Sequence, residues 1–310
     1  GFAAEEHFNV LLEKNKLIVV SLVVLSTFSA AILGSCVKYI SNDLNPFMIC
    51  FYRTFFGLLL ILPFVIKNNF RVLKSKNIKL QFIRSMVNVI SMICWFSALG
   101  IIPLEKATAL GFTTPLFTTI LAVIFLNQII RFHRTAALFI GLIGILIIIR
   151  PGYIPLEYAT FLMLIASLSF SFVQIFVKHL SGIDSNITII FYHLAFMTPV
   201  LFIIALFFWE PISIKHFFIF LIMGASGLAA HWCMNQSLKM SETTFVMPLQ
   251  FTKLIWASLI GVYIFFEKPD FWTWVGGVVI FISVIYITYR ESFKKKGTSK
   301  KLQVDRAIIN

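Results

Sequence analysis

Lys253 is the residue whose type and place most constrain the chemistry of this chain. It stands in the apolar stretch 243–266, ten residues after Thr243, which is about 15 Å along a helix. An ionised side chain at that depth of a bilayer costs at least about 2.5 kcal/mol, so it needs a partner, a wet cavity or a route to the interface. Gln250 lies three residues earlier on the same helical face, with Thr252 and Trp256 nearby. The grouping predicts a cationic site for an anionic group; the competing account is a lysine that snorkels or packs against helix carbonyls. Arg53, seven residues past Pro46, lies about 10 Å along its own stretch and is a second candidate still within snorkelling range. His193 is either a proton or substrate group or a hydrogen-bonded packing residue. Lys38, near the end of the first stretch, is expected only to snorkel.

Three further groups of polar residues recur at helical spacing. Ser167, Ser171, Gln174 and Lys178 form one stripe, His231 and Asn235 a pair, and Asn88, Ser91 and Trp95 another face. In lipid such faces turn inward, where they serve either as cavity lining or as hydrogen-bonding glue between helices. Pro115 and Pro248 interrupt two apolar stretches, flanked by Thr113, Thr114 and Gln250. Each removes a helix hydrogen bond and frees the carbonyl of Gly111 or Thr244, and paired interrupted helices point to a binding site. The plainer account is a kink satisfied by neighbouring helices. Gly141 and Gly144, with Gly276 and Gly277, are expected at close helix contacts.

The elements that position these residues are membrane helices. Of 310 residues 59% are hydrophobic and 13% charged, with a mean hydropathy of +0.92, far outside the globular average. Apolar stretches fall near 17–40, 47–66, 80–99, 107–126, 135–149, 157–178, 187–208, 216–237, 243–266 and 271–289, predicting an all-α integral membrane protein of ten spans. Little chain is left for a soluble domain. The chain starts at Gly1 without a Met, as a fragment or processed product would. Glu5, Glu6 and Glu13 do not suit a signal peptide, and the run 17–40 reads as a retained helix.

The net charge of +13 follows topology, so nucleic-acid binding is set aside. Nineteen of the 26 basic residues fall on the side of both termini: Lys14 and Lys16, the run Lys67 to Arg84, Arg131, Arg134, Lys178, Lys239 and the tail. Five fall opposite: Lys38, Lys106, Arg150, Lys215 and Lys268. Both termini are therefore expected in the cytoplasm, with the basic tail 290–310 touching anionic lipid. Glu105, Glu157, Glu210, Glu242, Glu267 and Asp270 all fall at span ends, so a carboxylate proton relay or carboxylate Na⁺ site is not expected. Cys36, Cys50, Cys94 and Cys233 have no metal-ligand spacing and read as small core residues, so no metal site is expected of them.

Shifting the sequence by 140 residues aligns Val37-Lys38-Tyr39-Ile40-Ser41 with Val177-Lys178-His179-Leu180-Ser181, and Ile49 to Arg53 with Ile189 to His193. Six of these seventeen positions are identical. Each half, 17–150 and 151–289, then holds five spans. Five is odd, so the second half enters from the opposite side, the inverted repeat of many secondary transporters. Phe51-Tyr52-Arg53, Trp95 to Leu99, Thr114 to Phe117, Arg150-Pro151-Gly152, Pro248 to Thr252 and Phe266 to Pro269 together resemble the drug/metabolite transporter superfamily, specifically EamA-type permeases. That resemblance covers about 17–290. It implies a central cavity between two five-helix repeats, alternating access, a small-metabolite substrate and no cofactor.

The expected function is thus transport of a small metabolite, an amino acid or small organic anion, across the plasma membrane, the inner membrane of a bacterium. Membrane lipids are expected partners, and a homodimer is allowed. The rival is a membrane hydrolase, since Gly224-Ala225-Ser226-Gly227 matches a GxSG string. Its required base fails: His231 follows at i+5, about 140° around the same helix from Ser226.

Overall fold

The computed structural model describes residues 2–102, 104–111, 113–150, 158–266, 271–272, 274–283, 285–286 and 290. The tail from 291, Pro151-Gly152, Glu157, Glu267, Lys268 and Asp270 lie outside them, as do the side chains of Lys14, Glu105 and Lys106. The described residues are helical, joined by turns and short loops. In chain order the helices are α1 (Phe2–Ile40), α2 (Pro46–Lys67), α3 (Ile78–Ile101), α4 (Leu104–Gly111), α5 (Thr113–Leu126) and α6 (Phe132–Ile149). They continue as α7 (Tyr158–Leu180), α8 (Asn186–Leu206), α9 (Ile214–Met240), α10 (Thr243–Leu249), α11 (Thr252–Ile264) and α12 (Trp274–Ser283).

Seven segments are long and apolar enough to cross a bilayer: Asn15–Ile40 of α1, then α2, α3, α7, α8, α9 and the stretch Thr243–Ile264 formed by α10 with α11. Three more apolar helices are shorter, over Thr113–Leu126, Phe132–Gly144 and Trp274–Ser283. They fall in the expected stretches 107–126, 135–149 and 271–289.

Helix starts follow local chemistry. Asn45 accepts from the Phe47 amide with Pro46 at the first helical position, Asn77 caps α3 through Leu80 N, and Ser185 caps α8 through Thr188 N. Ser213 and His216 form a reciprocal capping box on α9. Around the bundle the polarity is reversed from that of a soluble protein. Ile90, Ile124, Phe125, Phe139 and Ile203 face outward, while Thr54, Ser85, Asn88, Gln174 and His193 are buried.

Packing recurs in pairs. Helix α1 lies along α9 and α3 along α7; α2 packs on α9 and α3 on α8; α1 meets α11 and α5 meets α7; α4 touches α11 and α5 touches α10. The same pairing appears in single bonds. Lys38 Nζ donates to the carbonyls of Leu99 and Ile102 at 3.1 and 3.0 Å. Lys178 Nζ does the same to Leu238 and Ser241. Both lysines therefore satisfy orphan carbonyls at a helix C-terminus, where the helix dipole favours a cation. This corrects the snorkelling expected of Lys38 and removes Lys178 from the polar stripe of α7.

Two aspartates join turns to distant helix starts. Asp184, only 7% exposed, accepts from Ser75 Oγ, from Lys76 N at 2.9 Å and from Gln81 Nε2 at 3.0 Å at the start of α3. Asp43 meets His216 Nε2 at 3.3 Å at the start of α9, but its side chain is 45% exposed. Among the expected glycine contacts, a Cβ on Gly141 would stand 2.1 Å from Phe251, and one on Gly144 would stand 2.9 Å from the Gly276 carbonyl. Gly277 departs from expectation, with nothing within 4 Å of its Cβ position. All four thiols are free; Cys50 and Cys233 are buried, whereas Cys36 and Cys94 are half-buried.

The contrast between the aspartates gives a stability test. Replacing Asp184 with Ala strands three donors, and hydrogen bonds to a charged group are worth about 1.5–3 kcal/mol. Asp184→Ala should lower the unfolding midpoint in detergent by several degrees, whereas Asp43→Ala should leave it nearly unchanged, because exposed pairs contribute little. Equal midpoints for both variants would contradict this assignment.

Candidate functional site

A cavity of about 180 Å³ lies inside the bundle, walled by α1, α2, α3, α5, α7, α9 and the break between α10 and α11. Lys253 and Gln250 reach it from that break. Helix α10 ends at Leu249, one residue after Pro248, and α11 restarts at Thr252, so Lys253 sits in the first turn of α11. A lysine there adds to the positive end of the helix dipole instead of opposing it. Its Nζ lies 4.6 Å from the centroid of the Trp95 ring, a cation–π contact.

Arg53 enters from α2 and is 2% exposed. Its guanidinium lies against the backbone of α9 at Gly227, where a Cβ would stand 2.7 Å from Nη2 and 3.0 Å from Nε. One turn earlier on α9, a Cβ on Gly224 would stand 3.0 Å from the Gly57 amide nitrogen of α2. Both glycines of the GxSG string are thus explained by close approach of α2. Ser226 Oγ donates to the Met223 carbonyl of its own helix at 3.3 Å.

Asn88, Trp95, Thr114, Pro115, Gln174, His231 and Asn235 also line the cavity, as expected. Asn235 Nδ2 is buried there with no hydrogen-bond partner among the described residues. His193 departs from the cavity wall. It stands behind it, its two ring nitrogens each 3.4 Å from Asn88 Nδ2 and its ring centroid 4.8 Å from that of His231. Its contacts there are with Asn88 and His231, both of which line the cavity. Pro248 is buried away from the wall.

The polar stripes divide between the two roles. Ser167 and Gln174 line the cavity, whereas Ser171 Oγ donates to the carbonyls of Thr114 at 3.2 Å and Ser167 at 2.7 Å. Ser91 does both: it lines the cavity, and its Oγ ties α3 to the Ala166 carbonyl at 2.9 Å. Pro115 lies in α5, and Thr119 Oγ1 donates to its carbonyl at 2.7 Å.

The main residue missed by sequence is Arg84. It was expected in the connection before the third span, but it is fully buried, seven residues into α3, and lines the cavity. Its Nη1 donates to the Ile189 carbonyl at 3.1 Å. The available signal was spacing: Arg84, Asn88, Ser91 and Trp95 stand at i, i+4, i+7 and i+11 on one helical face. Ser26, Thr27 and Gly111 also join the wall. Among the described residues the lining carries three cationic side chains, Arg53, Arg84 and Lys253, and no Asp or Glu. Buried charge without a counter-charge is costly, so the cavity is suited to a ligand that brings negative charge.

A polar, cationic cavity enclosed by apolar helices defines a helical membrane transporter. The chain belongs to the EamA-like transporter family, whose model matches residues 17–150 and again 158–289. It is 30% identical to an S-adenosylmethionine uptake transporter of Rickettsia bellii over 86% of this chain and 90% of that one. It is 28% identical to a riboflavin transporter of Vibrio cholerae over 86% of this chain and 91% of that one. A pseudopaline exporter of Pseudomonas aeruginosa is 24% identical over 90% of this chain and 97% of its own. One solved crystal structure superposes with a TM-score of 0.73 at 14% identity, covering 89% of this chain and 96% of the other, which establishes a shared fold alone.

Gly227 offers a direct test of how the site is built. A methyl group there displaces the end of a flexible arginine, not backbone. Gly227→Ala should leave the unfolding midpoint within about 2 °C of wild type, since a shift below about 0.5 kcal/mol moves it little, while ligand binding at the cavity falls at least several-fold. Unchanged binding would show that Arg53 is not held in place by this glycine.

Proposed function

We propose that this protein carries a small metabolite with at least one anionic group, an amino acid or small organic anion, across the plasma membrane by alternating access. The observation that carries this reading is a cavity with three buried cations and no carboxylate among the described residues. Arg53, Arg84 and Lys253 supply the positive field, Gln250, Asn88, Gln174 and Asn235 supply hydrogen bonds, and Trp95 offers an aromatic face.

In this reading ten spans form two five-helix halves of opposite topology, 17–150 and 151–289, with the cavity between them and both termini cytoplasmic. The separate family match to each half supports it. So does the pairing of contacts, in which Lys38 of α1, bonded to the end of α3, has its counterpart 140 residues on in Lys178 of α7, bonded to the end of α9. The two aspartate junctions extend the pairing: Asp184 of the second half holds the start of α3, and Asp43 of the first holds the start of α9. On this topology they lie on opposite membrane faces, one buried and one open, as a structure biased toward one side would have them. The relatives are named for both uptake and export. Direction then depends on gradients.

S-adenosylmethionine is the second reading, favoured by the 30% identity to a transporter named for it. Its carboxylate suits the cations and its adenine suits Trp95, but its sulfonium and ammonium would meet no acid in the wall. The test is uptake into proteoliposomes of labelled amino acids, small carboxylates and S-adenosylmethionine by wild type and Lys253→Gln. A carboxylate taken up at least about tenfold more slowly by the variant, equivalent to about 1.4 kcal/mol, is the expected result. Uptake at the wild-type rate would remove Lys253 from the site.

A further inference from the structure

The cavity carries more positive charge than one carboxylate can answer, and that charge is divided between two places. Lys253 lies over Trp95. Arg84 is eleven residues before Trp95 on the same face of α3, about 16 Å along the helix axis. Arg53 belongs with Arg84. Gly227, against which the Arg53 guanidinium lies, is one turn before His231 on α9, and Ile189, whose carbonyl Arg84 holds, is one turn before His193 on α8. The two imidazole rings are 4.8 Å apart, so each arginine is held one helical turn from a member of the same histidine pair.

These two arginines keep donors in reserve. Arg53 Nε and Nη1 and Arg84 Nε and Nη2 are buried with no hydrogen-bond partner among the described residues. Each guanidinium stays charged and offers a planar fork matched to an oxyanion, and an unmet buried donor carries a desolvation cost that a ligand oxygen removes. Four such nitrogens on two side chains exceed the needs of packing, for which Ile189 alone satisfies Arg84 Nη1.

We propose that Arg53 and Arg84 form an oxyanion subsite separate from Lys253, so that the cargo bears two anionic groups, the second a carboxylate or a phosphate. This rests on the reading of the cavity as the transport site and narrows its substrate class. A cargo with one carboxylate would leave one end of the cavity unneutralised.

The test is equilibrium binding to purified protein of two matched probe pairs, succinate against butyrate and O-phosphoserine against serine. Each is measured on wild type, Arg84→Gln, Arg84→Lys and Lys253→Gln. Wild type should bind the doubly charged member of at least one pair at least about tenfold more tightly, and which pair shows it separates carboxylate from phosphate. Arg84→Gln should reduce that gain to under about threefold, and Arg84→Lys should retain part of it; an unfolding midpoint close to wild type for both variants reports an intact fold. Singly charged binding that is lost in Lys253→Gln, with no gain from a second anionic group, would overturn this inference alone. Wild type that binds none of the four probes would overturn it together with the reading beneath it.

Discussion

A charge inside a lipid bilayer must find an opposite charge, strong hydrogen bonds or water, and most of this structure can be understood from how each buried cation meets that demand. Lys38 and Lys178 meet it with helix-end carbonyls. Arg134 meets it with Glu242 and Thr244 at the start of α10. Arg53, Arg84 and Lys253 have no carboxylate partner among the described residues, and these three line the cavity. The proposed division is between cations that hold helices and cations open to a ligand.

Holding them open requires close helix packing. Small residues let α2 approach α9 at Gly224 and Gly227, and α6 approach α12 at Gly144. Serine hydroxyls bond carbonyls across helices from Ser26 to Ala230 and from Ser91 to Ala166. The interrupted stretch of α10 with α11 brings a helix start to the cavity instead of a continuous apolar rod. Close packing and this interruption together leave a polar interior that apolar packing alone would have closed.

Much of this was legible in the sequence because helical spacing and depth are local properties. The depth of Lys253, the face shared by Asn88 and Trp95, and the pair His231 and Asn235 all follow from counting residues, and all line the cavity. What could not be read was the rotation of each helix against its neighbours. Ser171 and Gln174 share a stripe, yet one bonds across to Thr114 and the other faces the cavity. His193 stands behind the wall for the same reason. Arg84 was hidden by its company: it ends a basic run beginning at Lys67, and charge counting assigned it to a loop although its spacing to Asn88 placed it on the polar face. The lysine caps were equally hidden, since their carbonyl partners lie about sixty residues away in the chain.

The central claim is that the buried cations await negative charge from a ligand. The most direct measurement is anomalous diffraction from crystals of the full chain grown with selenate, a tetrahedral dianion whose selenium marks its own position. The account predicts an anomalous peak inside the cavity within hydrogen-bond reach of the Arg53 and Arg84 guanidinium groups. Peaks confined to lysines and arginines at the outer ends of the helices, with none in the cavity, would contradict it.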